Sequence, residues 1–126
     1  MKILFIGDVV GSPGREAVKK ILPVLKKSHS LDFVIANAEN ASGGSGITPK
    51  VSEELFAAGV DVLTSGDHIW KRREIFELIN QDERILRPLN YPAGAPGKGK
   101  NVFKVKSGGK VGVININGRV FMDSLE

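Results

Sequence analysis

The sequence predicts an α/β fold that opens as a parallel β-α-β-α-β unit and ends in a hairpin. Three observations predict it. Short apolar runs recur at residues 2–7, 33–36 and 60–64. Two amphipathic stretches of helical period lie between them. Near the end, Ser107-Gly108-Gly109 separates two strand-like runs.

Lys2 to Gly7 is apolar, with β-branched and aromatic residues, and reads as a buried strand. Ser12-Pro13 follows as an N-cap with proline at the first helical position. Val18, Ile21, Leu22 and Leu25 then repeat at helical spacing opposite a lysine face, so a helix is expected to run to about Lys27. Phe33 to Ala36 is a second buried strand. Thr48-Pro49 repeats the cap-and-proline signal for a second helix, lined by Val51, Leu55 and Ala58 and ended at Gly59. Val60 to Thr64 is a third strand. Ile75, Leu78 and Ile79 mark a short helix, and Ile85-Leu86 a short strand. Pro88 to Lys100 is rich in proline and glycine and reads as an ordered loop. Val102 to Lys106 and Lys110 to Asn117 form the hairpin. A sheet begun this way takes right-handed crossovers, and no second set of α/β units follows in the 126 residues, so the expectation is one layered half of an enzyme.

Composition narrows the chemistry. The chain is 41% hydrophobic and 25% charged, the balance of a globular domain rather than a disordered one. It has no cysteine, which excludes thiolate ligands and leaves oxygen and nitrogen donors for any metal. The first apolar run stops at Asp8, too short for the core of a signal peptide, and no stretch is long enough to span a bilayer. The expected location is the cytoplasm. A net charge of +4 is compatible with RNA, but the lysines are spread over helix faces and loop tips and no stacking stripe accompanies them.

Ligands of open α/β sheets bind beyond the carboxyl ends of the strands. Here the first strand ends at Asp8, the second runs into Asn37-Ala38-Glu39-Asn40, and the third into Ser65-Gly66-Asp67-His68. Parallel strands set these loops side by side, so Asp8, Glu39, Asn40, Asp67 and His68 are expected to converge. Each taken singly reads as a cap, a turn residue or a packed histidine. Three adjacent strand ends with potential ligands read as a site. Clustered carboxylates repel, and divalent metal ions are the natural compensation for a set of carboxylate, amide and imidazole donors. Two bridged metals would polarise a phosphoryl group and lower the pKa of a bound water, and His68 would protonate the leaving alkoxide. Two nucleotide motifs do not hold. Gly7, Gly11 and Gly14 lack the dinucleotide spacing, and Gly94 to Lys100 is followed by Asn101 where a phosphate loop needs Ser or Thr. Lys98 and Lys100 stand only as candidate phosphate contacts.

These segments carry a resemblance. Ile6 to Gly14, Asn37 to Ala41, Gly66 to Trp70, Arg87 to Pro92, Pro96 to Gly99 and Gly118 to Asp123 occur in the order seen in the YmdB family of bacterial metallophosphoesterases, which the whole chain resembles. The resemblance implies a layered metallophosphoesterase-like fold of the calcineurin-like superfamily, incomplete here, with residues 1–126 forming the N-terminal part of a single domain. It implies two divalent metal ions, iron or manganese, and a phosphodiester or cyclic-nucleotide substrate cleaved by metal-activated water. By motif, Asp8, Glu39, Asn40 and Asp67 would be metal ligands, with Glu39 bridging, and His68 the general acid. Two departures accompany it. The family has asparagine where this chain has Asp67, which adds a negative charge. Family members are also about twice as long, and their second half supplies further histidines; here the only histidine besides His68 is His29. A catalytically incomplete fragment, folding or pairing with another copy through an exposed sheet edge, is the alternative expectation.

Overall fold

A computed structural model describes residues 1–118. The element order is β1 (Ile3–Ile6), α1 (Gly11–His29), β2 (Phe33–Asn37), α2 (Pro49–Ala57), β3 (Val62–Thr64), a 3₁₀ turn (Asp67–Lys71), α3 (Ile75–Gln81), β4 (Ile85–Leu86), β5 (Lys100–Lys104) and β6 (Lys110–Ile114). Strands β1 to β4 form one parallel sheet in that order, and β5 and β6 form a separate antiparallel pair. The YmdB-like segment after Gly118 lies outside the described residues.

Alternation along β2 sorts its side chains into two cores, as a period of two requires. Val34 and Ala36 face the helices and join Val18, Leu22, Leu55, Leu63, Ile75 and Ile85. Phe33 and Ile35 face the hairpin and join Val62, Leu86, Val111 and Val113. The layers are therefore helices, parallel sheet and hairpin. Truncating a side chain as enclosed as Leu22 or Leu55 would cost about 2–5 kcal/mol. No helix among the described residues is long and apolar enough to cross a membrane.

Several boundaries differ from the expectation. Helix α1 starts at Gly11, with Val10 as an N-cap that makes no side-chain bond, so Ser12 lies inside the helix. Gly11 adopts φ +55°, and the helix starts two residues early. The helix runs on to His29 and stops where Ser30 turns left-handed, its N–H returning to the Lys26 carbonyl. Thr48 caps α2 as expected, accepting from the Val51 N–H. The segment around Asp67 winds into the 3₁₀ turn, which the sequence did not announce.

Strand β1 is not buried. It is the edge of the sheet among the described residues, and Ile3 and Phe5 stay 49% and 59% exposed because no described strand lies beyond it and the hairpin does not reach over it. Ile21, expected in the core, is exposed beside that edge for the same reason. Strand β5 begins two residues earlier than expected. The loop before it is ordered by Arg87, a buried guanidinium that donates to the carbonyls of Pro88, Ala95 and Pro96.

Candidate metal and phosphoester site

Strand register brings the polar strand ends together. Ile6 pairs with Ala36, and Asn37 with Thr64. The ladder continues past the strands: Val9 N–H donates to the Asn37 carbonyl and Ala38 N–H to the Thr64 carbonyl, each at 2.9 Å. Asp8, Asn40 and the Asp67-His68 pair thus emerge from neighbouring strands at one end of the sheet, as the sequence led one to expect.

The contacts form a chain. The Asn40 amide donates through Nδ2 to Asp8 Oδ1 at 2.7 Å, and its Oδ1 lies 2.6 Å from Nδ1 of His68. An amide oxygen only accepts, so Nδ1 of His68 carries a proton. The other imidazole nitrogen, Nε2, is 3.8 Å from Asp67 Oδ2. Asp8 sits at φ +32°, a conformation disfavoured for residues with a side chain and concentrated at functional sites.

Glu39 lies deeper. Glu39 and Gly66 each lie two residues past the paired Asn37 and Thr64, and a Cβ at Gly66 would fall 2.2 Å from Glu39 Oε2. Only glycine lets that carboxylate seat there. Burial pushes the Glu39 carboxyl above the usual range and the Asp67 charge pushes it the same way, opposed by the backbone N–H and ring of His68 and by Asn37.

The donors suit a divalent cation in kind, being carboxylates, an amide oxygen and an imidazole, and the cradle Gly66 leaves for Glu39 fits a carboxylate held for use. They fall short in number. Among the described residues no three His, Asp or Glu side chains gather as a group able to hold a metal.

Sequence reasoning missed what holds these groups. Residues 41–47 are clamped from two sides: Arg15 of α1 donates to the Ala41 carbonyl and pairs with Glu54, and Arg72 donates to the carbonyls of Ser42 and Ser45. Asn115 donates to the carbonyls of Ser65 and Leu86, and Ser65 Oγ also donates to Leu86, which fixes the end of β3 just before Gly66. Such side-chain-to-carbonyl links over 20 or more residues leave no local pattern. Lys98 does not reach the site; it pairs with Glu83.

The chain is similar to known proteins along its whole length. It is 47% identical, over all of its residues, to a 2',3'-cyclic-nucleotide 2'-phosphodiesterase of Bacillus subtilis, covering 47% of that protein. Its fold matches a crystal structure of a hypothetical protein from Thermus thermophilus with a TM-score of 0.93 at 42% identity, over 100% of this chain and 48% of the other. It also matches a phosphatase from Mycoplasma pneumoniae with a TM-score of 0.86 at 34% identity, over 94% of this chain and 43% of the other. The chain spans about half the length of the relatives it matches. The family model for YmdB-like proteins matches residues 4–126, and the chain belongs to that family.

Proposed function

We propose that this chain supplies part of the dinuclear metal site of a phosphodiesterase acting on cyclic nucleotides. Asp8, Glu39, Asn40 and Asp67 are the metal ligands in this reading, Glu39 the bridging one, and His68 the general acid. The observation that carries it is the hydrogen-bonded chain Asp8–Asn40–His68 across three strand ends, with the Glu39 carboxylate seated against Gly66. The name of the Bacillus subtilis relative supports the substrate class. Two bound divalent ions, iron or manganese, would polarise the phosphoryl oxygens and lower the pKa of a water. His68 is held by Asn40 through Nδ1–H, and in the doubly protonated ring Nε2–H would be the proton delivered to the leaving alkoxide, leaving Nδ1–H in place. The ligands still lacking come from outside the described residues.

The test is Mn²⁺ binding and hydrolysis of bis-p-nitrophenyl phosphate, by this chain and by a protein of the relatives' full length that contains it, each beside Asp8→Ala. The longer protein is expected to turn over with Mn²⁺ and to lose turnover with Asp8→Ala. The chain alone is expected to bind Mn²⁺ more weakly and to stay inert. A longer protein that binds the metal and cleaves no phosphodiester sinks the reading.

A second reading rests on a different observation. The open edge of β1 exposes Ile3 and Phe5, and across a groove of about 490 Å³ the hairpin exposes Ile114 and Ile116. An apolar edge strand with unpaired backbone groups favours pairing with another strand. In this reading the chain associates with a second copy of itself and is not catalytic. Light scattering on the chain alone decides it, since a monomer at all concentrations excludes it.

A further inference from the structure

The loop that carries Glu39 and Asn40 and the turn that carries Asp67 and His68 come from different strands, so something must set their spacing. Arg72, the residue directly after the 3₁₀ turn, reaches back to the loop that follows Asn40. Its Nε donates to the Ser45 carbonyl at 3.0 Å and its terminal nitrogen to the Ser42 carbonyl at 2.9 Å. The planar guanidinium thereby grips two carbonyls of one loop with one rigid fork, which an ammonium cannot do.

What it grips is tied to the site residues by backbone bonds. Gly44 N–H donates to the Asn40 carbonyl, Gly46 N–H to the Glu39 carbonyl, and Ser42 N–H to the Gly46 carbonyl. Gly43, Gly44 and Gly46 all adopt positive φ, so the loop is wound in a form open to glycine and little else. The stem of Arg72 lies on Gly46, where a Cβ would fall 2.6 Å from Arg72 Cγ. Among the described residues Arg72 has no carboxylate partner in an ion pair; its guanidinium bonds to the loop carbonyls. Ala41 and Ile47 anchor the ends of the loop in the core and Arg15 holds the Ala41 carbonyl, but Gly43, Gly44 and Gly46 between them have no side chain to pack, and there Arg72 supplies the constraint.

We propose that Arg72 is a positioning residue, a latch that fixes the Glu39-Asn40 loop against the Asp67-His68 turn and so sets the Asn40–His68 contact. Its hydrogen bonds go to the loop carbonyls, and it acts through the loop. The inference rests on the site reading above for its importance to chemistry, and its own test needs no metal. Arg72→Ala and Arg72→Lys are compared with the parent chain by amide hydrogen exchange and by ¹⁵N NMR of the His68 ring and the Asn40 side-chain amide. Arg72→Ala is expected to speed exchange at Gly44 and Gly46 about tenfold or more relative to Val34 and Leu63 in the sheet. It is also expected to shift the His68 Nδ1 and Asn40 Nδ2 resonances. Arg72→Lys keeps the stem over Gly46 and the charge but not the fork, and is expected to behave like Arg72→Ala.

Three results overturn the latch: unchanged exchange at Gly44 and Gly46, faster exchange with unmoved His68 and Asn40 resonances, or full rescue by lysine. Mn²⁺ titration of the parent beside Asp8→Ala, run separately, reports on the site reading. If the parent binds Mn²⁺ in an Asp8-dependent way, Arg72→Ala should weaken that binding by about 10-fold or more, as loss of supporting bonds around metal ligands does. An affinity within twofold of the parent would overturn the latch as well.

Discussion

Asn40 stands between Asp8 and His68, and its amide oxygen lies 2.6 Å from Nδ1 of His68. That contact fixes which ring nitrogen bears the proton. Asp8 fixes the orientation of the amide, since turning it over would set its oxygen against the Asp8 carboxylate. Asn40→Ala is therefore expected to release the tautomer, which in water favours the proton on Nε2. The ¹⁵N shifts of the His68 ring near neutral pH would show it, as a protonated Nδ1 in the parent and a mixture in the variant. A parent spectrum with Nε2 protonated and Nδ1 bare would contradict the arrangement.

Gly66 yields a second prediction. The space a side chain would take there is occupied by the Glu39 carboxylate, so a Cβ would fall 2.2 Å from Oε2. Gly66→Ala is expected to destabilise the fold by about 1–3 kcal/mol, the usual cost of overpacking. In a Glu39→Ala background the same substitution should cost about 1 kcal/mol less, because the clashing group is gone. Urea denaturation of the four proteins measures the coupling. Equal costs in both backgrounds would mean that Glu39 does not rest on Gly66.

The meeting of the polar strand ends was legible in the sequence because it is built from local signals. A polar residue directly after an apolar run marks a strand end, and parallel strands turn three such marks into one place, so Asp8, Asn40 and His68 meet as expected. The same locality explains Thr48, whose cap is read three residues on at Val51. What was not legible depends on partners far along the chain. Nothing near Arg72 in sequence says that it grips Ser42 and Ser45. Nothing in Ile3 to Ile6 says that the strand has a neighbour on one side only among the described residues, and that one-sidedness is what leaves Phe5 exposed there. Ser12 failed as a cap because Gly11 could turn first.

Acid should weaken one link between helices in a definite direction. Asp82, which caps α3, accepts from the Arg84 side chain through both oxygens, and the Arg84 guanidinium lies 3.8 Å over the ring of Phe56 in α2. The hydrogen bonds from Arg84 hold the Asp82 carboxyl below its ordinary value of 3.8, against the opposing effect of burial. A depressed carboxyl pKa contributes stability that is present above the unfolded value and lost as pH falls through the folded one. Because half of the Arg84 side chain is exposed, solvent screening limits the contribution to about 0.5–1 kcal/mol. Asp82→Asn should therefore be less stable than the parent near neutral pH, with the gap closing as pH drops below 3.8. A gap that stays constant into acid would assign the loss to packing instead of charge.

The edge of the sheet gives the last prediction. Phe5 is 59% exposed and Ile114 is 61% exposed, and both line the groove between β1 and β6. Neither side chain contributes much to the fold of a single chain, so replacing one with a charge should change its stability by no more than about 0.5 kcal/mol. An aspartate there does oppose any strand or surface that packs against the edge, which is how natural edge strands are kept single. If the chain associates with itself through this face, Phe5→Asp and Ile114→Asp should each lower the mass seen by light scattering toward that of one chain, while the melting temperature at low concentration stays put. A mass that is larger than one chain and indifferent to both substitutions would place the contact elsewhere, and would leave the groove between β1 and β6 open in the assembly.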